Sequence, residues 1–165
     1  MAAGRRRGPA LTVLAVALVV VLLAGCGRPK PPCPEADLTL AEDRRTAESA
    51  LAVAAEAADM AEVPTEVDTR SIDWEPGGLA STSVQLEQLS VRRSRYVSFA
   101  PLAPPVEALK GEGFDGPPVT GNDTSVVLER GQQRARVEIG ERLRDNPGEG
   151  HVAFTIEIWT GCRRT

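Results

Sequence analysis

The chain has 165 residues, 19 Lys+Arg against 23 Asp+Glu, three Cys and one His. A net charge of −4 argues against a DNA-binding domain, and 4% aromatics argue against a stacking platform for single-stranded nucleic acid. One histidine excludes a His-rich metal site, while 42% hydrophobic residues supply enough apolar mass for a core.

Arg5, Arg6 and Arg7 form a basic start, and Ala10 to Leu23 is an almost unbroken apolar run. About 14 apolar residues span roughly 21 Å as a helix, short of a bilayer core. A basic start followed by a short apolar run reads as an export signal. Leu23-Ala24-Gly25-Cys26 follows. These four residues resemble the bacterial lipobox at every position. The resemblance implies cleavage before Cys26 and diacylglycerol on its sulfur, with acyl chains enough for stable anchoring. Residues 1–25 are then a signal peptide, 26–34 a lipidated Pro-rich spacer, and 35–165 one domain. Losing three arginines and no acids takes the charge from −4 to −7. The expected location is the outer, extracytoplasmic face of the cell membrane.

Cys33 and Cys162 remain as an even pair in a disulfide-permissive compartment, and only one intramolecular pairing exists. No Cys-x-x-Cys spacing favours a redox or metal pair. The spacer, GRPKPPCP over 27–34, is too Pro-rich for helix or central strand.

From Thr39 to about Val63 the pattern is helical. Thr39 and Glu42 have capping-box spacing. Leu40, Ala47, Leu51, Ala54, Ala58 and Ala61 form an Ala-rich stripe, with Glu42, Asp43, Arg45, Glu48, Glu56 and Asp59 on the solvated side. Pro64 stops the helix. Residues 64–80 read as a connecting loop through Pro76-Gly77-Gly78, with Trp74 tucked onto the domain. A hairpin is expected over 82–91 and 95–100, turning near Arg93-Ser94. Val106 to Lys110 offers one or two helical turns.

The last third alternates with period two: Val126 and Leu128, then Ala135, Val137 and Ile139, then Val152, Phe154, Ile156 and Ile158, with a DNPGEG loop at 145–150. One apolar and one polar face mark antiparallel strands with a solvated side. The expected fold is two-layer α+β: one long Ala-rich N-terminal helix packed on a four- to five-stranded antiparallel sheet.

No catalytic constellation emerges. Residues 35–75 hold 12 acids and three arginines, best read as a solvated helix face. Asp115, Asn122 and Asp123 lack calcium-loop spacing. His151 reads as an exposed strand-edge residue, and no Gly-x-Ser-x-Gly, P-loop or GxGxxG occurs. No catalytic, metal or cofactor site is expected. The candidate partner surface is Arg130, Arg134, Arg136 and Trp159, since Arg and Trp are enriched in binding hot spots. In the competing reading, Arg136 and Glu138 pair across strands with Glu129 or Glu157, and Trp159 packs beneath a loop.

Arg outnumbers Lys 17 to 2, as in translation of a GC-rich genome. The layout of lipobox, Pro-rich spacer, Ala-rich helix and short sheet ending in Gly-Cys resembles small actinobacterial lipoproteins, a likeness that imports no activity. The function expected is a lipid-anchored, non-enzymatic binding or accessory domain with a membrane contact and an envelope protein partner. The alternative is a carrier of an amphiphile between helix and sheet.

Overall fold

A computed structural model describes residues 32–36, 38–75, 83–142 and 151–164. The expected signal peptide, Cys26 and the spacer through residue 31 lie outside the described residues, as do the turn at 76–78 and the 145–150 loop.

Helix α1 spans Leu40–Ala57. Thr39 caps it: its Oγ1 accepts from the Glu42 amide at 3.3 Å, and the Glu42 carboxylate accepts from the Thr39 amide at 3.0 Å. The Thr39 hydroxyl, which donates to the Glu42 carboxylate at 2.7 Å, and then the Thr39 amide hold the Glu42 carboxyl below its ordinary pKa. Its contribution is therefore complete above the usual carboxylate range and is lost as pH falls through the lowered value. The helix ends about six residues before the expected Val63. Asp59 adopts left-handed φ of 55°, and the Met60 amide turns back to the Ala55 carbonyl at 2.7 Å.

The buried face of α1 is Asp43, Ala47, Ala50, Leu51, Ala54 and Ala55. Leu40 is exposed instead, and Asp43 is buried although its charge suggests a solvated position. Small alanines let the helix axis lie close to the sheet. Helix α2, Ala103–Gly111, packs beside α1. It begins before the expected Val106, because prolines 104 and 105 sit in the first turn, where a missing N–H costs nothing.

The described residues also form five antiparallel strands: β1 Glu66–Trp74, β2 Val84–Val97, β3 Ser125–Arg130, β4 Gln133–Arg142 and β5 Val152–Arg164. Their order is β1-β2-β5-β4-β3. Two expectations fail here. The 64–80 loop contains β1, and the hairpin within 82–100 is one continuous strand whose partner is β1, with Glu66 opposite Arg92 and Trp74 opposite Val84.

The reason for the second failure is side-chain placement. Arg93 and Arg95 follow Leu89 and Val91 on the helix-facing side and point at the end of α1. Arg95 donates to the carbonyls of Ala58 (2.8 Å) and Asp59 (2.5 Å), and Arg93 to those of Met60 (3.1 Å) and Ala61 (2.8 Å). Carbonyls at and beyond a helix C-terminus need donors, and α1 has no cation in its own last turn. Two strand arginines fill that role, so a polar pair that resembles a turn is a structural pin.

Between helices and sheet lies one apolar cluster in which Leu51, Met60, Leu109, Leu128, Phe154, Ile156 and Ile158 are fully buried. A smaller cluster forms on the opposite face of the sheet, where Cys33, Leu86 and Cys162 pack with Ile72, Trp74 and Val84. Trp74 thus lies half-buried on the domain, as part of β1.

The N-terminal segment enters against this smaller cluster. Cys33 and Cys162 form a disulfide with a Cα–Cα distance of 5.7 Å. Beside it the Cys162 amide donates to Pro34 O at 2.7 Å, and the Ala36 amide to Cys162 O at 2.8 Å, a short parallel bridge. Gly161 permits this approach: a Cβ there would lie 2.9 Å from Pro34 O and 3.0 Å from the Ala36 Cα. Gly161→Ala is expected to destabilise the fold by about 1–3 kcal/mol. An unchanged urea midpoint would contradict this packing.

Candidate functional site

The sheet has two unlike faces. One is covered by α1 and α2; the other carries polar side chains in rows that run across strands. Glu66, Arg92, Glu157 and Arg136 occupy one row on β1, β2, β5 and β4. Their charges alternate, with Arg92 at 2.7 Å from Glu66 and Arg136 at 3.4 Å from Glu157. The Glu66 carboxylate raises the Arg92 pKa above its usual value. The next row reads Asp68, Ser90, Trp159, Arg134 and Glu129. Trp159 is half-buried, with the Arg136 guanidinium 4.9 Å from its ring centre.

A bulge in β5 sets the neighbourhood of Trp159. Gln88 and Ser90 of β2 face Cys162 and Trp159, so two residues of β5, Thr160 and Gly161, stand opposite Leu89 alone. The extra residue leaves Thr160 buried, exchanging hydrogen bonds with the Leu89 amide and carbonyl at 3.3 Å. Gln88 donates to the Thr160 carbonyl at 3.0 Å. The bulge puts Trp159 and Cys162 on the same face three residues apart. A cleft of about 270 Å³ opens beside Trp159, bounded by Pro32, Pro34, Gln88, Trp159, Glu129 and Arg134.

A second cleft of about 490 Å³ lies on the helix side of the same sheet end, lined by Asp43, Thr46, Glu112, Arg130 and Gln133 among others. The β3–β4 turn, Gly131-Gln132, borders both clefts. Gly131 takes φ of 56° there, which an L side chain resists. Arg130 is built into this rim. It donates to Glu112 O at 2.7 Å and to Gln133 Oε1 at 2.6 Å, and its guanidinium lies 4.3 Å from the Phe114 ring centre. Burial pushes its pKa below the usual arginine value, against the pull of Glu112.

The four residues expected as one surface therefore divide. Arg134, Arg136 and Trp159 share the open face; Arg130 belongs to the helix-side rim, because it pairs with Gln133 across the two-residue turn, which puts even positions of β3 on the face of odd positions of β4. Two of the arginines have ion-pair partners on that face: Arg134 with Glu129 at 2.7 Å, and Arg136 with both Glu157 and Glu138. Exposed pairs of this kind contribute little to stability, so they shape the surface more than they hold it.

Gln133, Thr46 and the ion pair of Asp43 with Arg163 were not singled out by sequence. Gln133 Nε2 donates to Thr46 Oγ1 at 2.9 Å, tying the sheet to α1. The signal was present: Gln133 continues the apolar series Ala135, Val137, Ile139, and Asp43 lies one helical turn before Ala47 on the buried stripe.

His151 precedes β5 and is half-buried, not exposed, and it is among the residues with a partner. Asp115 and Asp123 serve their own loop, accepting from the amides of Gly116 and Thr120. Among the described residues no three His, Cys, Asp or Glu side chains converge, and no helix is long and apolar enough to cross a membrane. No protein-family model, curated protein or solved structure matches the chain.

Proposed function

We propose that the chain is a lipid-anchored, extracytoplasmic binding or accessory domain without catalytic activity. Residues 1–25 act as the signal peptide, Cys26 carries the acyl chains, and 27–34 form the spacer to a domain over 35–165. The long Ala-rich helix covers one face of the sheet, and the other face meets a protein of the envelope. The observation that carries this reading is the polar face itself, which among the described residues no helix covers: Trp159, Arg134 and Arg136 stand on it, the first two beside Pro32.

The alternative, a carrier holding an amphiphile between helix and sheet, requires internal space. The interior beneath α1 is occupied by Ala47, Leu51, Ala54, Val91, Phe154 and Ile156, all at 0% exposure. The clefts described above are at the rim. A filled interior favours the accessory reading.

Two experiments test the two halves. Growth with radiolabelled fatty acid is expected to label the chain, and Cys26→Ser to abolish label and membrane retention; a labelled Cys26→Ser chain would end the anchoring reading. Crosslinking in whole cells is expected to capture one envelope protein. Trp159→Ala and Arg134→Glu should each weaken that capture about tenfold or more while leaving the fold intact. Undiminished capture by both variants would remove the open face as the contact surface.

A further inference from the structure

Strand β1 is bonded to β2 along one edge, and its other edge has no partner among the described residues. The opposite edge of the sheet is treated differently. There the Asp115 amide donates to Glu129 O and the Glu129 amide to Asp115 O, both at 2.8 Å, which occupies the outer side of β3. Nor does the helix layer centre on β1: α1 packs over β2 and β5, α2 over β3 and β4. Every residue from Glu66 to Ser71 is exposed, Val67 among them at 39%.

A long edge of free N–H and C=O groups is a template for another strand. The side chains of β1 select what that strand can be. When a sheet continues through a two-fold axis normal to it, directly opposed residues lie on the same face, so the axis must pass through a residue. An axis at Asp68 sets that carboxylate against its own copy, and an axis at Arg70 sets two guanidinia together. An axis at Ser71 leaves both charges opposite uncharged residues. Whereas at Asp68 the Glu66–Arg70 pair comes with two opposed Asp68 carboxylates, an axis at Thr69 alone pairs opposite charges without setting like charges together. Asp68 then faces the second copy's Arg70, Arg70 faces the second copy's Asp68, Thr69 faces Thr69, and Val67 faces Ser71. Opposite charges and Thr–Thr are favourable cross-strand pairs.

Both charges are available for this. Arg70 has no side-chain partner among the described residues, and Asp68 acts within the chain only through the field it adds at Arg92.

We propose that β1 is a self-docking edge: two copies join antiparallel about Thr69, making one continuous sheet from two five-stranded sheets. The axis is normal to the sheet, so both open faces, each with its Trp159, are presented on the same side. This pairing stands on the edge chemistry of β1 and does not rest on the anchoring reading.

Sedimentation equilibrium of the full chain in density-matched detergent tests it. A concentration-dependent dimer is expected. Asp68→Arg and Arg70→Asp should each raise the dissociation constant about tenfold or more, by setting like charges opposite one another. The exchanged double variant Asp68→Arg/Arg70→Asp should restore dimerisation, because each pair reforms with its signs reversed. Thr69→Asp, which places two carboxylates at the axis, should also dissociate the dimer, and circular dichroism confirms that each variant is folded. A monomer at all concentrations overturns the proposal. So does a dimer indifferent to the single reversals, or a folded double variant that stays dissociated.

Discussion

Replacing Cys33 and Cys162 together with alanine is expected to lower the unfolding free energy by up to about 5 kcal/mol. The bridged residues are 129 apart in sequence, nearly the whole described chain. In the unfolded state the bridge forbids most arrangements of that loop, and the loss grows with the logarithm of loop length. Native packing adds to the effect. The sulfurs lie in the small apolar cluster with Leu86, Ile72, Trp74 and Val84, and the flanking amides of Ala36 and Cys162 are bonded across the same junction. Without the bridge these contacts must hold an otherwise short N-terminal segment by themselves. Urea unfolding with and without reductant is the measurement. Equal midpoints for the alanine variant and the oxidised chain would remove the disulfide as a main support.

The second large effect is expected at Asp43. Asp43→Ala should cost about 3–5 kcal/mol, since breaking a buried ion pair leaves the partner charge uncompensated. Arg163 holds Asp43 through Nη2 and also donates to Leu38 O at 2.8 Å, while its Nε and Nη1 are buried without a hydrogen-bond partner. Its charge therefore depends on one carboxylate. The same pair fastens the first turn of α1 to the end of β5, just past the disulfide. The double variant Asp43→Ala/Arg163→Met should recover most of the loss, because both charges leave together. Urea midpoints for the single and double variants decide this. A single variant as stable as the parent would show that water already solvates Arg163.

The parts of the fold legible in the sequence are those where side-chain type and burial agree. Thr39 and Glu42 mark the start of α1 because a cap needs an acceptor and a returning carboxylate at that spacing. β3, β4 and β5 are legible because Val126, Leu128, Ala135, Val137, Phe154 and Ile156 alternate strictly with polar residues. β1 is not legible: EVDTRSIDW lies outside the helix layer, so neither of its faces needs an apolar series. β2 is split by Arg93 and Ser94 only in appearance, since Arg93 and Arg95 hold inward positions as donors to the end of α1. In the candidate site, Trp159 and its two arginines were readable as a set by parity. Arg130 falls on the other face because across the two-residue β3–β4 turn it pairs with Gln133, a register that sequence parity alone does not give. Asp43 and Gln133 are not legible because burial of a polar side chain depends on a partner distant in the chain, 120 and 87 residues away respectively.

The strand order carries one more consequence, for the sequence of events in folding. β1–β2 and β3–β4 each pair neighbouring segments, but among the described residues neither pair is a sheet neighbour of the other. The strand that unites them, β5, follows the other four in chain order, and its far end carries the cysteine that fastens the first described residues. Without residues 152–164 the described strands form two ribbons with no ladder between them. This strand order puts the slow, long-range step of folding at the docking of β5. Closure of the sheet, burial of Phe154 and formation of the Cys33–Cys162 bridge all depend on that one strand.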